Sequence, residues 1–367
     1  MISTALIPSY MVSNNATERL IVLYEDEVFV SRAANALARA GVLVEPFNII
    51  NGMVVHANER AILNITEGMG IASIEPDQVV YALAKPTKPV DPGVQLPQKI
   101  DWGIDKLNAN DVWNSYRGNG IDVAVIDTGI DLDHPDLRVL PGVTYVLRTR
   151  SADDDNGHGT HVAGIIAALD NTIGVVGVAP MANLYPVKVL NSKGSGYLSD
   201  VVKGIEWAIG NQMDVINMSL GADSGSSAME TVLEAAEISG IITVAAAGND
   251  GAAVDYPGAY DSTLAVGAVD VSLNLAYFSS IGPQVDIVGP GVNVYSTYKG
   301  GTYKALSGTS MATPHLAGLA ALYKQMNPGA DLTAFRQALA GSSMDLGTNG
   351  KDVQYGWGFP DARILIH

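Results

Sequence analysis

From residue 98 onward the chain alternates short, continuously apolar runs with helical stretches, and this alternation restricts its fold more than any other feature. The runs are IDVAVID (121–127), NLYPVKVL (183–190), MDVINMSL (213–220), IITVAAAG (241–248) and TLAVGAV (263–269). They are not alternately polar and apolar, which marks strands covered on both faces, as in a parallel sheet. Between them GTHVAGIIAAL, LSDVVKGIEWAIGNQ, SAMETVLEAAEISG and SMATPHLAGLAALYKQM read as helices. This pattern predicts an α/β domain with a doubly wound, mainly parallel sheet.

A different unit precedes it. AKPTKPVDPGVQLP (84–97) holds four prolines in fourteen residues and reads as an extended linker. Before it, ERLIVLYE, FVSRAANALARAG and VLVEPFN give strand, helix and strand, and GMVVHA, NERAILNITEGM and GIASIEP repeat the set. The order βαββαβ predicts a small ferredoxin-like α+β domain. The chain thus divides into an N-terminal extension (1–18), a small domain (19–83), a linker (84–97) and a large domain (98–367).

Composition excludes several classes. Hydrophobic residues make up 47% of the 367 and charged residues 16%, enough apolar content for a sizeable core. A net charge of −17 argues against nucleic-acid binding, which needs basic patches, and disfavours anionic membranes. With no cysteine there is no disulfide framework and no thiol nucleophile. This fits an extracellular bacterial or archaeal protein. No apolar run approaches the roughly 18 residues of a membrane span. The start, MISTALIPSYMVSNNATERL, lacks a basic segment followed by an apolar one. Either an export signal has been removed or the protein stays inside. A secreted location is expected, with an intracellular one as the alternative.

Three segments carry chemistry. Asp127 ends a buried strand before a Gly turn, at the sheet edge where parallel sheets collect ligands. NGHGTHVAG sets His158 and His161 at the start of an apolar helix. GTSMATPHLAG sets Ser310 in the first turn of another, where free N–H groups and the helix dipole favour a developing anion. Alone, each has a plainer reading: a turn aspartate, a histidine metal pair lacking a third ligand, a capping serine.

Together, in the order Asp127, His158, Ser310, they resemble the subtilisin-like serine proteases, from about Gln98 to the C-terminus. Serine is a weak nucleophile that needs an adjacent base, imidazole has a matching pKa, and a buried carboxylate fixes its tautomer. His161 and His315 belong to the same segments and read as packing or hydrogen-bonding residues. VAAAGNDG resembles the family's oxyanion segment, which makes Asn249 the side-chain donor beside the Ser310 backbone N–H.

The resemblance implies two substrate-clamping segments, Gly194–Ser195–Gly196 and Ser219–Leu220–Gly221, whose glycines would let a peptide backbone approach. Ala222 replaces a glycine common in the family. Asp250 and Asp255 are two acids in the region matching the pocket for the P1 side chain. They predict acceptance of Lys or Arg at P1 beside large apolar residues, the alternative being a solvated acidic rim.

ALDNTIGVVGVAP resembles the family's calcium loop. Carried over by position, the ligands are the Gln98, Asp136 and Asn171 side chains and the carbonyls of Leu169, Ile173 and Val175. This oxygen set suits Ca²⁺ rather than zinc. A second, weaker cation site is expected near Gly258, Tyr260 and Thr263 with Asp286, although Gln284 stands where another relative has an acid. The run Asp153–Asp154–Asp155 reads as a solvated loop or a further cation site.

Residues 19–83 resemble an inhibitory propeptide, which acts as intramolecular chaperone and inhibitor. Its tail, Val80-Tyr81-Ala82-Leu83, offers apolar P4 and P1 residues and a small P2, and predicts self-cleavage between Leu83 and Ala84. The linker resembles thermophilic archaeal subtilisins, and LIPSY near the start resembles acidic intracellular ones. The expected protein is a monomeric, calcium-stabilised, self-processing endopeptidase of broad specificity acting on polypeptides. The competing function is a catalytically silent binding protein on the same frame; an esterase is weaker because no G-x-S-x-G is present.

Overall fold

The computed structural model describes residues 18–89 and 97–367, with side chains undescribed at 85–89. The expected N-terminal extension with LIPSY, and linker residues 90–96, lie outside the described residues. The chain divides into two compact units, one ending at Asp77 and the other running from Gln78 to His367.

The small unit follows β1 (Arg19–Tyr24), α1 (Glu27–Arg39), β2 (Leu43–Pro46), β3 (Gly52–His56), α2 (Glu59–Ile65) and β4 (Ile71–Pro76). Asp26 caps α1 by accepting from Val28 N at 2.8 Å, and Asn58 caps α2 by accepting from Ala61 N at 2.9 Å. Val30, Ala33 and Leu37 face inward along one stripe of α1 and pack with Leu20, Val22, Met53 and Val55 of the sheet. The sheet is antiparallel in the order β2-β3-β1-β4, the ferredoxin-like arrangement predicted from the order of elements.

The large unit runs through β5 (Val79–Ala82), β6 (Lys85–Pro89), α3 (Trp102–Lys106), β7 (Asp122–Asp127), β8 (Val143–Thr144) and α4 (His158–Ala167). Next come β9 (Asn183–Lys188), β10 (Ser195–Tyr197), α5 (Leu198–Gly210), β11 (Val215–Met218), β12 (Leu220–Gly221), α6 (Ser227–Ile238) and β13 (Ile242–Ala246). It continues with β14 (Leu264–Val269), β15 (Val285–Pro290), β16 (Val294–Tyr298), β17 (Thr302–Ser307), α7 (Thr309–Met326) and α8 (Leu332–Ser342).

Seven strands, in the order β15-β14-β13-β11-β7-β9-β8, form one parallel sheet. Successive side chains on a strand face opposite ways. Accordingly Val123 and Val125 join the core containing Val162 of α4 and Leu316 of α7, while Ile126 meets α5 at Gly204. Helices therefore cover both faces, as the continuously apolar runs require. Every residue of α4 is buried, which explains why its sequence shows no polar stripe. No helix among the described residues is long and apolar enough to cross a membrane.

Two boundaries differ from the expectation. Residues 78–83, attributed to the small domain as its tail, belong to the large unit, where β5 pairs antiparallel between β10 and β12. Part of the expected linker, β6, is a strand paired antiparallel with β17. Prolines at 86 and 89 allow this because β6 is an edge strand.

Candidate active site

The carboxyl edge of the parallel sheet gathers the predicted residues. Asp127 is the last residue of β7, Ser219 to Gly221 follow β11, and Asn249 follows β13. His158 opens α4, and Ser310 lies in the first turn of α7.

His158 Nδ1 lies 2.8 Å from Asp127 Oδ1 and 2.9 Å from Oδ2, inside the protein. A carboxylate only accepts, so Nδ1 carries the proton and Nε2 keeps its lone pair. Nε2 is buried with no hydrogen-bond partner among the described residues. Burial pushes the imidazole pKa down, but the charge and hydrogen bonds of Asp127, with the charge of Asp154, outweigh it and hold His158 above its usual value. His161 and His315 behave oppositely: burial drops them to about 3 and about 4, and they bond to the carbonyls of Val294, Lys304 and Met311.

Ser310 Oγ donates to the Ser219 carbonyl at 2.9 Å, and Ser219 Oγ donates to the Ser310 carbonyl at 3.0 Å. Pro314 accounts for the second bond. It lies inside α7 and lacks the N–H that would otherwise take the Ser310 carbonyl four residues back.

Asn249 is oriented by Thr309, whose N and Oγ1 donate to Asn249 Oδ1 at 2.9 and 3.0 Å. That fixes the amide, so its NH₂ points outward and donates to the Leu83 carbonyl at 2.7 Å.

The Leu83 carbonyl belongs to the chain's own segment lying through the site. Leu83 N donates to Ser219 O at 3.2 Å and Ala82 N to Gly194 O at 2.9 Å. Ser195, Gly196 and Tyr197 pair with Tyr81, Val80 and Val79, and Leu220 and Gly221 with Ala82 and Tyr81. A Cβ on Gly308 would stand 2.6 Å from the Leu83 oxygen and 3.3 Å from Ala84 Cα, so the Leu83–Ala84 bond passes directly beside the residues before Ser310. Past it, β6 adds to β17. The described chain is therefore bound as an added strand on both sides of this bond.

The glycines of the clamp serve different ends. A Cβ on Gly221 would meet Leu83 Cδ1 at 2.8 Å and Asp255 Oδ2 at 3.2 Å, so this glycine opens the pocket that Leu83 fills. The expectation fails for Gly196, where a Cβ would strike the Val189 carbonyl at 2.1 Å; the loop's own packing requires that glycine. Ala222 exchanges two backbone hydrogen bonds with Tyr256, fixing the wall beside Asp255. Burial, then Asp250 and Asp223, pushes Asp255 up to about 6. Asp250 is exposed and acts at the rim.

The calcium-loop residues converge as well. Asn171 Nδ2 donates to Asp136 Oδ1 at 2.7 Å, Val175 N donates to Oδ2 at 3.0 Å, and Tyr303 OH to Oδ2 at 3.2 Å. Gln98 Oε1 accepts from Asn171 N. Leu169 N donates to the Asp136 carbonyl, and Gln98 N and Lys99 N take the Thr172 and Gly174 carbonyls, leaving those of Ile173 and Val175 out of that pairing. Asp136 is fully buried with no basic partner among the described residues, and burial pushes it up to about 6. A buried carboxylate of this kind, with two amide oxygens at hand, fits a hard cation.

Two other cation expectations are corrected. Asp286 already meets Lys351 Nζ at 3.0 Å and Arg336 at 3.1 Å, and Arg336 also takes the Thr263 carbonyl, so two basic side chains fill the second site. In the acidic run Asp153 and Asp155 are exposed, as a solvated loop requires, but Asp154 is not, and its oxygens are already taken by protein donors. Asp154 is buried under hydrogen bonds from Thr128, Asn156, Gly157 and Thr160, and Asp155 pairs with the buried Lys188 at 2.6 Å. Asp154, Thr128, Lys188 and Thr309 are the residues that sequence reasoning missed. Only the unusual run of three acids before His158 could have marked them.

Comparison with known proteins identifies the family. The Subtilase family matches residues 118–358. Subtilisin NAT of Bacillus subtilis subsp. natto is 44% identical over 318 residues, covering 85% of this chain and 80% of that protein. Subtilisin DY of Bacillus licheniformis is 50% identical over 256 residues, 68% of this chain and 93% of the relative. A thermostable alkaline protease of Halalkalibacterium halodurans is 51% identical over 257 residues, 70% of this chain and 71% of the relative. The chain belongs to the subtilase family and is a serine endopeptidase.

Proposed function

We propose that this endopeptidase first cleaves its own Leu83–Ala84 bond, and that Asp127, His158, Ser310 and Asn249 carry the reaction. The observation behind this reading is the 2.7 Å hydrogen bond from Asn249 Nδ2 to the Leu83 carbonyl, in a segment held as a strand on both sides of the bond.

The chemistry follows from the donors and acceptors present. Ser310 Oγ turns from the Ser219 carbonyl toward His158 Nε2, gives up its proton there and attacks the Leu83 carbonyl carbon. The resulting oxyanion forms where Asn249 Nδ2 already donates, and the Ser310 N–H, in a first helical turn without an intrahelical partner, is the second donor. Asp127 holds the imidazolium. His158 then passes its proton to the Ala84 nitrogen, the C–N bond breaks, and Leu83 remains as an ester on Ser310. Water, deprotonated by His158, hydrolyses the ester and restores the hydroxyl. Substrate polypeptides follow the same course with their strand in place of β5.

Residues 19–83 are read as the propeptide, chaperone and inhibitor of this site, with the tail up to Leu83 lying in the cleft. Calcium at Gln98, Asp136 and Asn171, with the Leu169, Ile173 and Val175 carbonyls, would neutralise the buried Asp136 and tie the 169–175 loop to the segment at Gln98. Specificity is broad, with Asp255 adding Lys and Arg at P1. The enzyme is read as a secreted monomer, an intracellular enzyme being the alternative.

A serine-reactive fluorophosphonate tests the reading. Labelling of the matured enzyme at Ser310, with loss of peptidase activity, is expected; labelling elsewhere, or activity unaffected by labelling, refutes it.

A further inference from the structure

The loop leading into α4 carries a buried carboxylate for which the reaction so far has no use. Asp154 is 6% exposed and meets no lysine or arginine among the described residues. Its Oδ1 accepts from Thr128 Oγ1 at 2.9 Å, Asn156 N at 2.9 Å and Gly157 N at 2.8 Å. Its Oδ2 accepts from Thr160 N at 2.9 Å and Thr160 Oγ1 at 2.6 Å. All five neighbours are donors, so only a carboxylate satisfies them; an amide would turn an NH₂ group on one set.

These donors lie on the elements that must stay in register. Thr128 follows Asp127 and donates its own N–H to Asp127 Oδ1 at 2.6 Å. Its hydroxyl also accepts from Gly159 N at 2.9 Å, beside His158. The Thr128 carbonyl is taken by Lys188 Nζ. Thr128 is thus gripped at both ends, by Asp154 through its hydroxyl and by Lys188 through its carbonyl.

We infer that Asp154 is a positioning residue: it holds Asp127 and His158 in register and supplies a second buried negative charge behind the imidazole when His158 is protonated. The inference rests on His158 being the base. Other charged or titratable groups near His158 are Asp127 of β7, His161 on its own helix, Tyr298 of β16, and Lys193 and Lys304 lining the same cleft. None changes in the variants below, so a shift between them reports on Asp154.

The test compares kcat, KM and pH profiles of matured wild-type enzyme, D154N and T128V on a short peptide, with H158A as reference. D154N removes the charge, while T128V keeps it and cuts the link. Both are expected to lower kcat about tenfold or more with KM within about twofold. D154N alone should move the acidic limb to lower pH, because the charge favouring imidazolium is gone. A merely structural role would lower the melting temperature and rate without moving the limb. D154N with kcat within about twofold of wild type, or with the limb unmoved, overturns the inference. Should D154N fail to fold or mature, T128V decides: kcat within about twofold of wild type, or a kcat loss accompanied by a lower melting temperature, overturns it, and a lower kcat at unchanged KM and melting temperature upholds it. An active H158A would instead refute the reading of the base.

Discussion

Ser219 and Ser310 hold each other twice, each hydroxyl donating to the other's backbone carbonyl, at 3.0 and 2.9 Å. One bond is structural and permanent, because Pro314 leaves the Ser310 carbonyl without an N–H in its own helix. The other involves the nucleophile proposed here and must open for reaction. The same Ser219 carbonyl accepts from Leu83 N at 3.2 Å, so it also anchors the bound strand.

Ser219→Ala therefore strands a buried carbonyl and removes the partner of Asn217 Nδ2. Such a loss costs about 1–3 kcal/mol. The melting temperature should drop by roughly 2–10 °C, with kcat reduced no more than about tenfold. Calorimetry beside steady-state kinetics checks both; an unchanged melting temperature would show that the Ser310 carbonyl is satisfied elsewhere.

Asn249→Ala should reduce kcat by about 10²–10³ with little change in KM, the range known for removing this kind of donor in subtilisin. Thr309 holds Asn249 Oδ1 through two bonds, so Thr309→Val should cost part of the same factor by freeing the amide to rotate. Equal KM effects in the two variants, without kcat effects, would move Asn249 from transition-state stabilisation to ground-state binding.

With His158 as the base proposed above, activity requires its neutral form, and Asp127 and Asp154 hold its pKa above the usual imidazole value. The imidazolium would be inactive, so kcat/KM should fall as pH drops through a limb lying above the ordinary imidazole value. Asp127→Asn should remove the orienting charge and lower kcat about 10⁴-fold. A pH–rate profile measures this directly, and a limb below the ordinary imidazole value in the wild type contradicts it.

At the P1 pocket Asp255 lies beside the Leu83 side chain and is pushed up to about 6. Below that value it is mostly neutral and favours Leu or Phe; above it, the carboxylate attracts Lys and Arg. The ratio of kcat/KM for Arg-P1 over Leu-P1 peptides should rise across pH 6. Asp255→Asn should flatten the rise. A ratio independent of pH in the wild type would make Asp255 part of a solvated rim.

Chelation should lower the melting temperature and speed autolysis, since a cation bound only by the folded form stabilises it by mass action. At a hundredfold excess over its dissociation constant the effect is about 2.7 kcal/mol. Asp136→Asn should abolish the difference between chelated and calcium-loaded protein. A chelator-sensitive Asp136→Asn would place the cation elsewhere.

Much of this architecture is legible in the residues because local and global signals agree. The five apolar runs all became strands of the parallel sheet, and each helical stretch became a helix within a few residues. Strand β15 was not legible: VDIVGP contains Asp286 and ends in proline, a weak signal that the sheet neighbour β14 overrides. The pairing of β6 was equally hidden, since four prolines suggest a linker and only the exposed edge of β17 turns part of it into a strand.

At the site, sequence supplied the residues at the sheet edge but not what holds them. Asp127, His158, Asn249 and Ser310 stand in recognisable segments. Their supports come from sequence-distant partners: Thr309 on Asn249, Ser219 on Ser310, Asp154 on Thr128. Asp154 was misread because a run of acids is ordinarily solvated. Five donors from two elements reverse that here. Asp286 was misread as a cation ligand because Arg336 and Lys351, 50 and 65 residues away, neutralise it first.

The most direct measurement is the mass and N-terminal sequence of fragments from purified full-length chain, wild type beside Ser310→Ala, incubated with and without Ca²⁺. The account predicts a fragment beginning at Ala84 from the wild type and an intact Ser310→Ala chain in both conditions. A mature fragment beginning at another residue, or the same cleavage in Ser310→Ala, would contradict it.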